Sequence, residues 1–258
     1  MYETIELEVR DGVAHLTLNR PEAANGISLE LARDLMHASL AIADDPGARV
    51  VLLSGAGPRF CGGGDLKSFA AHADLATHLR EVLAFLHVAM ARLVRGDAPV
   101  VAAVQGSAAG AGMGLVGASD FVVAGESAKF VMAYTGVGLT PDGSSSWFLP
   151  RLVGLRRAIE LTLTNRVLSA HEALEWGLIT QVVPDDDVTA TAADVAAHLA
   201  RGPAGALAGA KRLLHESLES TLESHLAREA EEITAAAARP DAAEGIAAFL
   251  AKRPPEFE

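Results

Sequence analysis

A single cysteine, Cys61, stands in a chain of 258 residues. No disulfide can form within the chain, and one free thiol fits a reducing compartment, so a cytoplasmic location is expected. Aromatic residues are scarce at 5%, while half of all residues are hydrophobic, so a sizeable core must be built from small aliphatic side chains. Positive charge is also in short supply: 21 Lys and Arg face 33 Asp and Glu, a net charge of −12. Such a field argues against nucleic acid and anionic membrane as partners, and any polyanionic ligand needs a local basic patch. Residues 1–6, Met1-Tyr2-Glu3-Thr4-Ile5-Glu6, carry acids where a signal peptide carries bases, so no targeting segment is read there. Ala98 to Ser119 is uncharged and about long enough to span a bilayer, but Pro99, Gln105, Ser107 and five glycines interrupt it. Two buried strands joined by a Gly-rich turn are expected instead. No Gly-Lys-Ser/Thr is present, which excludes a P-loop, and no metal site is expected.

What is present reads as alternating strands and helices. Ile5–Val9 and His15–Asn19 alternate apolar and polar residues around Asp11-Gly12, a hairpin signal. Ser28 can cap a helix carrying Leu31, Leu35 and Ile42. Val50–Leu53, Val100–Val104 and Phe121–Ala124 are continuous apolar runs, the mark of strands buried on both faces. A helical apolar stripe runs from Leu75 to Leu93 until Gly96 stops it, and Ser169-x-x-Glu172 is a capping box. Beyond Pro184 the pattern is helical almost to the end. The expected organisation is α/β, with a core over 1–185 and a helical region over 186–258.

Two glycine clusters follow buried strands: Phe60-Cys61-Gly62-Gly63-Gly64-Asp65-Leu66 and Gln105–Gly114. Glycines at strand ends let backbone N–H groups approach a ligand. One N–H from each turn, converging on a single carbonyl oxygen, makes an oxyanion hole, and Asp65 can cap the helix that follows. Other readings compete. Gly112-x-Gly114-x-x-Gly117 matches a dinucleotide fingerprint by letter, though it lies far into the chain and no acid ends a next strand. Alternatively, the small residues serve only tight helix–strand packing. Cys61 reads as a buried small residue, with no histidine poised beside it.

These segments, in this order, resemble the crotonase (enoyl-CoA hydratase/isomerase) superfamily over essentially the whole chain. Tyr2–Pro21 resembles its opening hairpin and Arg-Pro turn, and the two glycine segments resemble its oxyanion-hole motifs. Ser169–Ile179 resembles its later strand–helix junction, and Gly245–Arg253 its C-terminal helix. The resemblance implies a spiral core of ββα turns with a helical C-terminal trimerisation region. It also implies a homotrimer or a hexamer built as a dimer of trimers, an acyl-CoA thioester as ligand, and no cofactor beyond the coenzyme A of that substrate. Carried onto this chain, the oxyanion donors are the backbone N–H groups of Gly64 and Ala111, with Gly62, Gly110 and Gly114 in the same turns. Ala24, Asp65, Leu66 and Lys67, together with Phe249 and Lys252 near the C-terminus, are the candidates for holding coenzyme A.

Departures from the family pattern bear on the reaction. Hydratases of this family use two glutamates to activate water; here those positions are Gly114 and Tyr134. Adding water needs one group to take a proton and another to deliver one, and this pair supplies neither in the usual way. Gly138–Arg151 resembles a subgroup that includes the ring-epoxide phenylacetyl-CoA isomerase and is associated with Δ3,Δ2-enoyl-CoA isomerase activity. Its catalytic aspartate matches Asp142, although Ser144-Ser145 stands where that subgroup has Gly-Gly. One carboxylate suits an isomerase, which removes a proton α to the thioester and returns it at the γ-carbon. Pro-Asp-Gly before three serines is equally an ordinary turn with Asp142 as helix cap. Tyr134 is expected to pack or to line the acyl pocket. Isomerase, weak hydratase and a lapsed acyl-CoA-binding protein are the three readings carried forward.

Overall fold

The computed structural model describes residues 2–257; Met1 and Glu258, at the ends of the two expected regions, lie outside the described residues. The chain opens with the hairpin β1 (Ile5–Arg10) and β2 (Val13–Leu18). Asp11 and Gly12 both take positive φ, 51° and 80°, the mirror-image turn that matches strand twist. Then follow α1 (Leu29–Asp44), β3 (Val50–Gly55), α2 (Leu66–Ala70), α3 (Leu75–Arg95), β4 (Val100–Val104), β5 (Ser107–Ala109) and α4 (Ala111–Gly117). The middle of the chain supplies β6 (Phe121–Gly125), β7 (Lys129–Val131), α5 (Ser145–Val153), α6 (Leu155–Thr164), β8 (Leu168–Ser169), α7 (Ala170–Glu175) and β9 (Gln181–Val183). Four helices finish it: α8 (Val188–Ala200), α9 (Ala204–Glu216), α10 (Leu222–Ala237) and α11 (Pro240–Ala251).

Six strands form one sheet in the order β1-β2-β3-β4-β6-β9, parallel except for the opening hairpin. A second sheet, β5-β7-β8, lies apart. The continuous apolar runs have a simple cause. Ala14, Leu16, Val51, Leu53, Ala102, Val104, Val122 and Ala124 enter the main core, whereas Val13, Val50, Leu52, Val101, Ala103 and Val123 form a second one. Successive strand residues point to opposite faces, so a sheet covered on both sides needs apolar residues at every position. The second face is closed by α8 through Val188, Ala192, Ala196 and Ala200. The caps expected at Ser28, Asp65 and Ser169 are formed, the last as a complete capping box with Glu172.

The Ala98–Ser119 stretch differs from the expected pair of strands. After β4 and the short β5, the glycine-rich part continues as α4, every residue of which is buried. Its glycines are contact points: a Cβ on Gly112 would lie 2.6 Å from the Cys61 carbonyl oxygen, and one on Gly117 would lie 2.8 Å from Cβ of Phe148. These residues are spent on close packing and leave no phosphate-binding turn, so the dinucleotide reading falls. No helix among the described residues is long and apolar enough to cross a membrane.

Candidate active site

The two glycine turns meet. Phe60 and Cys61 donate their N–H groups to Gln105 and Ser107, and Ala109 donates to Cys61, so the chain after β3 is laced to the chain after β4. Gly63 takes a φ of 97°, and a Cβ there would lie 3.0 Å from the Ala109 carbonyl oxygen. A Cβ on Gly64 would sit 2.6 Å from the Phe69 ring, which would have to turn aside to admit it. The N–H groups of Gly64 and Ala111 donate to no backbone carbonyl among the described residues. Both residues line the same cavity of about 200 Å³. Two free donors at the wall of an apolar cavity are what a developing thioester oxyanion requires.

Asp142 lines the same cavity. Its side chain caps nothing: α5 starts after Ser144, which has no side-chain cap bond and takes a φ of 66°. This non-glycine left-handed residue stands where the related subgroup has glycine, and the turn it makes leaves the Asp142 carboxylate facing the cavity. The helix-cap reading of Asp142 is therefore corrected. Tyr134 donates its hydroxyl hydrogen to Oδ1 of Asp142 at 2.5 Å, so it is a partner of the carboxylate as well as part of the pocket wall. Burial raises the Asp142 carboxyl above the ordinary carboxylate value; the Tyr134 hydrogen bond and nearby His87 work in the other direction and only partly offset it. Burial and the Asp142 charge hold the phenol proton on Tyr134.

The absent first glutamate has a steric explanation. A Cβ on Gly114 would lie 2.0 Å from the Gly143 carbonyl oxygen. The backbone that carries Asp142 into the cavity occupies the space that any side chain at 114 would need. Asp142 is the one carboxylate among the residues lining the cavity; the others are apolar apart from Thr140 and Tyr134.

At the cavity mouth, the Ala24 carbonyl accepts the Gly62 N–H at 2.8 Å. Arg20 reaches Asp65 at 2.9 Å, so the Asp65 carboxylate is occupied by that pair and by the Ser68 N–H. Leu66 lines the cavity, and Lys67 is exposed beside it. Gly110, with a φ of 49°, turns the chain into α4. Phe249 and Lys252 lie exposed at the end of α11 and do not line the cavity. Cys61 is fully buried, and its thiol is pushed up to about 11 by burial, which rules out a ready nucleophile.

Sequence reasoning missed Asn25. Fully buried, it donates through Nδ2 to the carbonyls of Ala56, Arg59 and Phe60, and its Oδ1 accepts the Arg20 N–H. It clamps the 20–27 turn to the loop before the first glycine cluster. Its positive φ of 53° is the local sign that an Asn was needed. Phe69, Leu139 and Thr140 also line the cavity and carried no motif of their own.

The model of the enoyl-CoA hydratase/isomerase family matches residues 8–258. The chain belongs to the enoyl-CoA hydratase/isomerase family. It is 41% identical over 257 residues to a Rhodobacter capsulatus protein named "Probable enoyl-CoA hydratase", covering 99% of this chain and 98% of that one. It is 40% identical over 262 residues to the 1,2-epoxyphenylacetyl-CoA isomerase of Escherichia coli, covering 100% and 99%. The crystal structure of an enoyl-CoA hydratase from a Polaromonas species superposes with a TM-score of 0.93 at 35% identity, over 98% of this chain and 99% of that one. The crotonase fold expected from the sequence is thus shared across the full length. Within the enoyl-CoA hydratase/isomerase family, both reaction types occur among relatives of similar identity, so the reaction has to be argued from the cavity.

Proposed function

We propose that the chain is an acyl-CoA isomerase that moves a double bond by way of a thioester enolate. The thioester oxygen sits against the N–H groups of Gly64 and Ala111. Asp142 takes a proton from the carbon next to the thioester, and electron density moves onto the oxygen, where the two donors stabilise it. Protonated Asp142 then returns the proton at the γ-carbon, leaving the double bond conjugated with the thioester. No atom is gained or lost, so one carboxylate suffices. Tyr134 fixes the carboxylate through Oδ1 and leaves Oδ2 to carry the proton. Coenzyme A is part of the substrate, met at the mouth by Ala24, Gly62, Leu66 and Lys67. Phe249 and Lys252 stay in this reading as contacts for coenzyme A, while the apolar residues exposed on α9, α10 and the turn between them, among them Leu214, Leu218 and Leu222, belong to the packing of a trimer or a dimer of trimers.

The observation that carries the reading is the solitary Asp142 carboxylate in a cavity also lined by two residues with free N–H donors, with Gly114 sterically barred from holding a second acid. The test is a panel of CoA thioesters assayed in parallel for Δ3→Δ2 isomerisation and for hydration. Isomerisation of a 3-enoyl-CoA well above hydration of crotonyl-CoA is expected. Fast hydration without isomerisation overturns the proposal, and binding without either reaction favours a lapsed acyl-CoA-binding protein.

A further inference from the structure

At the opposite end of the sheet from the acyl cavity, where β3 and β4 begin, a second cavity of about 470 Å³ opens between the C-terminal ends of α1 and α3 and the start of α9. Five arginines line it, Arg49, Arg92, Arg95, Arg212 and Arg239, against two carboxylates, Asp45 and Asp97. They come from separate parts of the chain. A favourable interaction with the C-terminal dipole of α3 accounts for Arg92 and Arg95, but it gives no reason for Arg49 and Arg239 to converge there. Arg212 is satisfied by Asp97 and by Glu232 at 2.9 Å. Arg49 donates to the Gly202 carbonyl at 2.6 Å, a neutral partner. Arg92, Arg95 and Arg239 make no side-chain hydrogen bond or ion pair among the described residues. With Glu232 counted beside Asp45 and Asp97, the cavity and its edge hold a local excess of two positive charges, carried by exposed guanidinium groups, on a chain whose net charge is −12.

The start of a helix adds to this positive field. Helix α9 starts after Pro203 without a side-chain cap, and the N–H groups of Ala204 and Gly205, at the cavity wall, find no acceptor among the described residues. The guanidinium of Arg239 lies directly over Gly205, with Nη1 2.5 Å from where a Cβ would stand. A cation is thus held against the positive end of a 13-residue helix, the reverse of what the helix dipole favours. An anion in the cavity, beside Arg239 and within reach of the free helix N–H groups, offsets both positive charges. Guanidinium groups are suited to bidentate contact with phosphate oxygens, and free helix N–H groups complement the same oxygens.

We propose that this cavity binds a small phosphate-bearing anion, a pyrophosphate or a nucleoside diphosphate, at a site separate from the acyl cavity. Titration calorimetry of the full chain with inorganic pyrophosphate, at ionic strength fixed with sodium chloride, tests it. Saturable binding is expected, weakened about tenfold or more by Arg239→Gln and by Arg92→Gln with Arg95→Gln. Lys67→Ala, at the mouth of the acyl cavity, should leave it unchanged. Ala204→Asp supplies a carboxylate at the helix start and should both raise the Tm and abolish pyrophosphate binding. ADP run beside pyrophosphate assigns the source: tighter binding points to a nucleotide, equal binding to the phosphates alone. Absence of saturable heat, or binding that the arginine variants and Ala204→Asp leave intact, overturns the site. None of these readouts depends on which reaction the acyl cavity performs.

Discussion

Replacing Gly114 by alanine sets two effects of known size against each other. Gly114 lies inside α4, where alanine is favoured over glycine by about 1 kcal/mol. The new Cβ, however, would stand 2.0 Å from the Gly143 carbonyl oxygen, and real Cβ contacts are essentially never below 3.0 Å. The Gly143 backbone must retreat by about 1 Å, and overpacking of this kind costs about 1–3 kcal/mol. The steric effect equals or exceeds the helix gain, for a net loss of up to about 2 kcal/mol in unfolding experiments. Activity should suffer more than stability, because the displaced peptide adjoins Asp142. A misplacement of about 1 Å in a catalytic group costs on the order of 10²-fold in rate. The assay is isomerase kcat beside urea unfolding, with Gly114→Glu as a second variant. Although Glu restores the residue type of the family's hydratases, it meets the same obstruction and should not produce hydration of crotonyl-CoA. An alanine variant with parental stability and turnover, or a glutamate variant that hydrates, refutes the reasoning.

Further outcomes follow from the same geometry. Asp142→Asn should keep the Tm, since the carboxylate caps no helix, while isomerase activity falls by about 10²–10⁴-fold; parental turnover removes Asp142 from proton transfer. Because burial raises the Asp142 carboxyl, kcat/KM should climb with pH through a midpoint above the ordinary value of 3.8. Tyr134→Phe deletes a hydrogen bond that favours the charged form, so it should move that midpoint further up; an unmoved midpoint refutes the contact. Proline at Gly64 or Ala111 removes one donor and should cost about 10²–10³-fold in kcat in a folded variant, with circular dichroism as the folding control. Lys211 is buried and bonded to Asp120 at 2.8 Å and to the carbonyls of Leu93 and Ala98. Lys211→Met strands Asp120 and should destabilise by about 3–5 kcal/mol; a loss below about 1 kcal/mol in urea unfolding contradicts it.

Strands and caps were legible because their causes are local. A run such as Val50–Leu53 carries its burial on its face, and Ser169 with Glu172 is a complete hydrogen-bonding unit within four residues. The glycine turns were legible as a pair because close backbone approach demands glycine. What escaped was set by contacts distant in sequence. Asp142 reads as a cap from its neighbours alone; only Ser144 in a left-handed turn and the hydrogen bond from Tyr134 reveal where its carboxylate goes. Gly114 reads as a lost glutamate until the Gly143 carbonyl is seen against it. Asn25 carries no motif, since its three acceptors lie more than thirty residues away.

The burial of Cys61 has a practical consequence. Its thiol donates to the Asn25 carbonyl at 3.3 Å and lies beneath Gly112, between the two turns that carry the proposed oxyanion donors. With no other sulfhydryl in the chain, alkylation by a solvent-borne reagent can proceed only when those turns part. The labelling rate is therefore an internal clock for opening at the catalytic seam, readable without substrate. A ligand seated on Gly64 and Ala111 slows that clock in proportion to its hold on the closed form.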